Sequence, residues 1–277
     1  MPLLFRDSLL RVPVALSIAA GLSAPASDAS WPSPAAVAGW NAYVAATEQR
    51  ITRELATPGR FLVQDFRANA AASRRAVLAG ERVIEALESH DARGGPIAIP
   101  DAMVQHWRGA TFVRGARLDD LLRRLQSGAP AAKQEDVLAS RVLERGPDRM
   151  RVYLRVQRKK FVTVVYNTEH EVAFRRHSQT RASSTSTAVR ITEVESPGTP
   201  SERELPAGQD RGFLWRLNAY WRYEQAPGGV IVECESLSLS RPIPYGLGYV
   251  VSPLVASAAR ESMDRVLGSY LFSTDWR

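Results

Sequence analysis

The sequence predicts an α+β fold: a curved antiparallel β-sheet, made of a six-strand meander plus one or more N-terminal strands, wraps around a long C-terminal helix. Three observations predict it. From Val137 to Ser240 the hydrophobic pattern has period two, in consecutive runs separated by turn signals. From Ser252 to about Leu271 it changes to the period of a helix. The 277 residues are 45% hydrophobic and 23% charged, which supports one large core and argues against bulk disorder.

The N-terminus reads as an export signal. Arg6 and Arg11 precede the apolar stretch Val12 to Leu22, and Ala24-Pro25-Ala26 then offers small residues for cleavage near Ala26. The run is too short to span a bilayer, and no cysteine lies near it for lipid attachment. A periplasmic or secreted location is therefore expected, with residues 1–26 removed. Trp31-Pro32-Ser33-Pro34 is a stiff linker that also supplies an N-cap and a first-turn proline. Val37, Trp40, Val44, Ile51 and Leu55 then make an amphipathic helix, stopped by Thr57-Pro58-Gly59. Phe61 to Phe66 is a short strand candidate. Ala68 to Ala79 is helical by alanine propensity and ends at Gly80. Glu81 to Leu87 fits strand or helix, with strand preferred, and Asp91 to Pro100 is a loop. Residues 27–100 thus form an extension ahead of a main domain, 101–277.

Met103 to Val113 is extended. Leu118, Leu121, Leu122 and Leu125 share one face of a short helix closed by Ser127-Gly128. The strands of the meander follow: Val137 to Glu144, Met150 to Gln157, Phe161 to Phe174, Thr180 to Val194, Gly212 to Glu224 and Val230 to Ser240. Gly146-Pro147-Asp148 and Ala226-Pro227-Gly228-Gly229 are turns, and Ser196 to Asp210 reads as a loop. Short connections between consecutive strands favour antiparallel pairing. In the last helix Ser252 is the expected cap and Pro253 the first helical residue. Leu254, Val255, Ala258, Ser262, Met263, Val266 and Tyr270 line one side. That stripe must be buried, and the concave face of the sheet is the surface available.

The net charge of +7 suits nucleic acid, anionic lipid or acidic ligands, but the charges read as scattered. The densest run, Arg158-Lys159-Lys160, reads as a solvated turn. No nucleic-acid partner is expected, whereas transient contact with an anionic membrane surface is. No later segment resembles a transmembrane helix. His90, His106, His170 and His177 have no metal-ligand spacing, and Glu169-His170-Glu171 on a strand alternates sides, so no metal site is expected. No G-x-S-x-G elbow is present. Cys234 lies between two glutamates that disfavour its thiolate, so it reads as a core residue. Gly246-Leu247-Gly248 reads as a turn rather than a phosphate loop. Glu233 and Glu235 share one face of the last strand beside Arg216 and Arg222. They read as a cross-strand ladder in preference to a polar anchor in a cavity.

The element order resembles the START-like superfamily, also called SRPBCC or helix-grip, over roughly Gln105 to Leu271. The carriers are His106-Trp107-Arg108-Gly109, the block Val162 to His170, the block Phe213 to Arg222, and Gly246-Leu247-Gly248. These blocks are similar to those of an uncharacterised bacterial exported group within it. The resemblance implies a cavity between sheet and last helix, with no catalytic residue and no cofactor to carry over. Gly128 to Asp136 lacks the small aromatic-bearing helix usual at that place. By strand alternation Phe213, Trp215, Leu217, Ala219, Trp221 and Tyr223 share the face expected to meet the helix. The expected ligand-lining residues are Trp107, Phe213, Trp215, Leu217, Trp221, Leu254, Ala258 and Met263. Three functions remain open: binding or transport of an apolar or amphipathic, lipid-like molecule; a cyclase- or hydrolase-type enzyme; and a structural protein with a filled core.

Overall fold

The computed structural model describes residues 31–127, 136–159, 163–242 and 248–271. The expected export signal and the segment 128–135 lie outside these residues, as do Lys160 of the basic run and Gly246-Leu247.

The chain begins with α1 (Pro34–Leu55). Ser33 caps it as its sequence suggests, its hydroxyl accepting from Ala36 N at 3.1 Å, with Pro34 in the first turn. A short 3₁₀ helix (Val63–Phe66) and α2 (Ala70–Ala79) follow, the latter ended by Gly80 in a left-handed conformation. The strand expected at Phe61 to Phe66 is absent. The Asp65 carboxylate accepts from the backbone N–H groups of Phe61 and Leu62, both at 2.9 Å, and folds this stretch back on itself.

The remaining elements are β1 (Val83–Ala86), β2 (Met103–Arg114), α3 (Leu118–Ser127), β3 (Val137–Arg145), β4 (Arg149–Lys159), β5 (Thr163–Arg176), β6 (Arg181–Glu195), β7 (Arg203–Glu204), β8 (Arg216–Ala226), β9 (Gly229–Ser240) and α4 (Gly248–Leu271). They form one antiparallel sheet in the order β1-β2-β9-β8-β6-β5-β4-β3, with β7 added to β6. The expected six-strand meander is β3, β4, β5, β6, β8 and β9, and β1 and β2 are the N-terminal strands beside it. This is the expected α+β architecture, an antiparallel sheet of a six-strand meander and N-terminal strands with a long C-terminal helix.

Four local expectations change. The Ser196 to Asp210 loop contains β7, which pairs Glu204 with Val194. Arg158 and Lys159 belong to β4 and not to a turn. The strand starting at Gly212 begins instead at Arg216. Gly212 has φ +70 and its N–H bonds to Asp210 Oδ1 at 2.6 Å, so residues 212–215 turn before they extend. α4 begins at Gly248, which places Ser252 and Pro253 inside it. A proline lacks one N–H and so removes one rung without ending the helix.

The sheet curls around α4. Met263 and Leu267 press onto β2 at Gly109, where a Cβ would lie 2.7 Å from Met263 Cγ and 2.6 Å from Leu267 Cδ1. On the helix's other side, Arg265 Nε donates to Asp136 Oδ2 at 2.7 Å, and the same oxygen takes Arg158 of β4 at 2.8 Å. Residues two apart on a helix point about 200° apart. One turn of α4 therefore touches both arms of the sheet, which only a strongly bent sheet allows.

α1, the 3₁₀ helix and α2 cover the sheet's outer face, so the protein has three layers. Trp40 and Tyr43 of α1 pack with Trp215, Tyr220, Leu237 and Leu239. Phe61, Leu62 and Val77 pack with Ala110, Phe112 and Ile231. The β8–β9 turn approaches the neighbouring strand closely: a Cβ at Gly229 would lie 2.3 Å from the Val113 carbonyl oxygen.

Candidate functional site

The inner face of the sheet is built by register. Gly109 of β2 pairs with Cys234 of β9, which pairs with Trp221 of β8, which pairs with Ser184 of β6. Side chains of paired residues stand on the same face. On β5, Val172 faces Ser186 and Phe174 faces Ser184, so His170 and Thr168 also point inward. The inner face thus has an apolar arm and a polar arm.

The apolar arm is the cluster of Cys234, Met263 and Leu267, with Ile84, Trp107, Ala219 and Trp221 packed around it. Leu267 is fully buried, and burying a leucine contributes about 1.5–3 kcal/mol. Trp107 and Trp221 are only partly buried, although they flank the helix contact. Burial pushes the Cys234 thiol well above its ordinary pKa, with Glu235 and Glu233 adding to the rise, so this cysteine is no nucleophile. A second cluster joins Leu118 and Leu121 of α3 to Tyr223, Val230 and Val232.

The polar arm holds His170, whose ring nitrogens lie 3.0 Å from Thr168 Oγ1 and 3.3 Å from Ser186 Oγ. Burial away from any carboxylate lowers its pKa to about 4, so the imidazole is neutral at pH 7. Ser184 Oγ lies 3.0 Å from the Tyr223 hydroxyl. The Arg158–Asp136–Arg265 triad closes this arm onto α4.

The residues expected to line the site divide. Trp107, Trp221 and Met263 come together at the helix contact. Leu217 shares their face by register, opposite Ser238, and Ala258 is half-buried on α4. The Leu254 side chain lies outside what is described. Phe213 and Trp215 are corrections. Phe213 is 47% exposed under Arg211, and Trp215 is buried on the outer face against α1. Both precede β8, so strand alternation does not govern them. His170, Thr168 and Ser186 were not singled out as lining residues. A histidine in period with β5's inward residues was the available signal.

Glu233 and Glu235 form neither an exposed ladder nor an anchor beneath α4. They lie on the outer face and are buried by the N-terminal layer. Glu233 accepts from the N–H groups of Val63 and Gln64, at 2.6 and 3.2 Å, and from Arg108 at 2.8 Å. Burial nonetheless raises its pKa against these donors. Glu235 accepts from Arg50 and from His106 Nε2, the latter at 2.7 Å, while His106 Nδ1 faces the Tyr43 hydroxyl at 2.9 Å. Burial pushes the Glu235 carboxyl up, but His106, Arg50 and Arg222 outweigh it and hold its pKa below the ordinary value. Arg222 turns away from Glu233 to Glu54 of α1, at 2.5 Å. This network fastens the outer layer to the sheet. Its partners stand far apart in sequence, so the alternation of Glu233 and Glu235 did not reveal them.

Among the described residues, no group of three or more His, Cys, Asp or Glu side chains could hold a metal ion. No described helix is long and apolar enough to cross a membrane. An open cleft of about 440 Å³ lies on the outer side, between the end of α1 and the β5–β6 hairpin, lined by Phe61, His177 and Arg181 among others.

No family model and no curated protein matches the chain. Solved structures do. A STAR-related lipid transfer protein from Xanthomonas axonopodis is 16% identical, with TM-score 0.38 over 65% of this chain and 98% of that one. The human StarD13 lipid transfer and protein localization domain is 9% identical, with TM-score 0.40 over 74% and 98%. The Zhui aromatase/cyclase from Streptomyces sp. R1128 is 12% identical, with TM-score 0.32 over 61% and 92%. The fold assignment rests on this chain's own strand order and its gripped C-terminal helix.

Proposed function

We propose that the protein binds or carries an apolar or amphipathic, lipid-like small molecule between the inner face of the sheet and α4. We further propose that it acts in the periplasm or outside the cell and touches anionic membrane surfaces transiently. One observation carries the ligand reading. Met263 and Leu267 fix the helix on β2, yet Trp107 and Trp221 beside that contact are only partly buried. Large aromatics left incompletely covered on a concave face are what an apolar ligand would cover. The polar arm opposite, with neutral His170 and its hydroxyl partners, supplies the few oriented hydrogen-bonding groups such a site uses.

An enzyme of the cyclase or hydrolase type is the second reading, and His170 is its natural base. A general base works best with a pKa near the operating pH, and burial takes His170 to about 4. That favours binding over catalysis. Native mass spectrometry and lipid extraction of the protein purified from its own host test the proposal. A co-purifying apolar molecule is expected. A ligand-free protein that ignores a panel of fluorescent lipids would replace the proposal with the filled-core reading.

A further inference from the structure

We propose that the β3–β4 hairpin is the surface by which the protein docks on an anionic lipid bilayer. The inference deepens the membrane contact proposed above, on which it rests, and is independent of the internal ligand. Residues 137–159 carry seven arginine and lysine side chains against two carboxylates, so this hairpin holds five of the chain's seven net positive charges. Carboxylates elsewhere in the fold engage part of the set: Glu169 takes Arg151, Glu202 takes Arg155 and Asp136 takes Arg158. The three arginines around the Gly146-Pro147-Asp148 turn remain. Arg141, Arg145 and Arg149 are exposed and have no carboxylate partner among the described residues. Among the described residues Arg145 bonds to the Ser127 carbonyl oxygen, at 2.6 Å, and Arg141 lies over the Tyr153 ring.

The same strand exposes Leu138 by 48% and Leu143 by 41%, each at an irregularity in the β3–β4 register. A bulge frees a side chain from the pleat and bends the strand. Two exposed leucines among arginines that no described carboxylate neutralises match a bilayer interface, where cations meet lipid headgroups and aliphatic side chains enter the acyl boundary. The two other occupants fit less well. The bulges break the row of hydrogen-bonding groups that a second copy would need for edge pairing. A single-stranded nucleic acid would gain from exposed aromatic rings, and the hairpin's one ring, Tyr153, lies beneath Arg141.

The test is flotation of the full chain with vesicles of phosphatidylcholine alone and with roughly three parts in ten phosphatidylglycerol. An arginine near an anionic surface contributes about fivefold to partitioning. The wild type should float with the anionic vesicles and lose binding as salt rises. Arg141→Gln, Arg145→Gln and Arg149→Gln together should lower partitioning by about a hundredfold. Leu138→Ser with Leu143→Ser should lower it by about tenfold. Both variants should keep the wild-type melting temperature and bind the apolar dye N-phenyl-1-naphthylamine as the wild type does. Equal flotation with both vesicle types, or unchanged flotation of the triple variant, overturns the proposal. So does preferential binding of duplex DNA, or self-association, without flotation. A protein that floats but does not bind the dye would lose the ligand reading and keep this one.

Discussion

Gly109 on β2 sits so close under Met263 of α4 that a Cβ would come within 2.7 Å of the methionine Cγ. The glycine therefore sets the depth at which the helix docks. Gly109→Ala forces Met263 and Leu267 to shift, and Gly109→Val forces the helix itself away. Overpacking of this kind costs about 1–3 kcal/mol, with the alanine variant at the low end because methionine adapts. Urea unfolding of both variants checks it. A valine variant as stable as the wild type would show that the helix is not seated on β2.

Trp221 and Trp215 lie six residues apart on and just before one strand, yet they stand on opposite faces of the sheet. Trp221→Ala should weaken binding of an apolar dye at least tenfold with a modest loss of stability. Trp215→Ala should leave dye binding unchanged and cost about 3–5 kcal/mol, the usual range for removing a buried tryptophan. Fluorescence titration and thermal melts together separate the two.

That contrast shows what the sequence makes legible. The meander, β2, α3 and the terminal helix follow from period and punctuation, which are local properties. Face assignment inside β8 also holds, because register preserves alternation once a strand has begun. It fails at Phe213 and Trp215 because Asp210 and Gly212 delay the strand to Arg216. The stripe of α1 reads as Val37, Trp40, Val44, Ile51 and Leu55. The buried face instead includes Tyr43, Thr47 and Glu54, because the sheet beneath presents Tyr220, Arg222 and Glu235. A helix face complementary to a polar sheet surface has no periodicity signal of its own. The side chains on the two elements must be known together.

Protonation of His170 is opposed by the fold. Its pKa is lowered to about 4 by burial, against an ordinary value of 6.5. The unfolded chain therefore binds the proton more readily between these values, and stability falls as pH drops from about 6.5 to 4. The shift corresponds to about 3 kcal/mol, present in full above pH 6.5. His170→Gln should make this window shallower in a series of urea melts, leaving the contribution of His177, whose pKa is also lowered by burial. Glu235, whose pKa is depressed, acts lower, below about pH 4.5, and is left intact by that variant.

Glu54 of α1 accepts from Arg222 at 2.5 Å and from Arg50 at 2.8 Å, and its loss leaves Arg222 buried with the Phe61 carbonyl oxygen as its remaining hydrogen-bond acceptor among the described residues, near Glu233 and Glu235 but bonded to neither. Glu54→Ala should cost about 3–5 kcal/mol, because the remaining charge is stranded out of water. Asp264→Ala, which removes the exposed pair with Arg82, should cost under about 1 kcal/mol. Comparable losses from the two would mean that the outer layer is not held by the buried network.

The proposed ligand site beneath α4 is tested most directly by titrating the full-length chain with N-phenyl-1-naphthylamine and reading energy transfer from tryptophan. Saturable, single-site binding is expected, abolished in Trp107→Ala/Trp221→Ala and retained in Phe213→Ala. Absence of saturation, or transfer that survives the double substitution, would contradict a ligand site on the inner face.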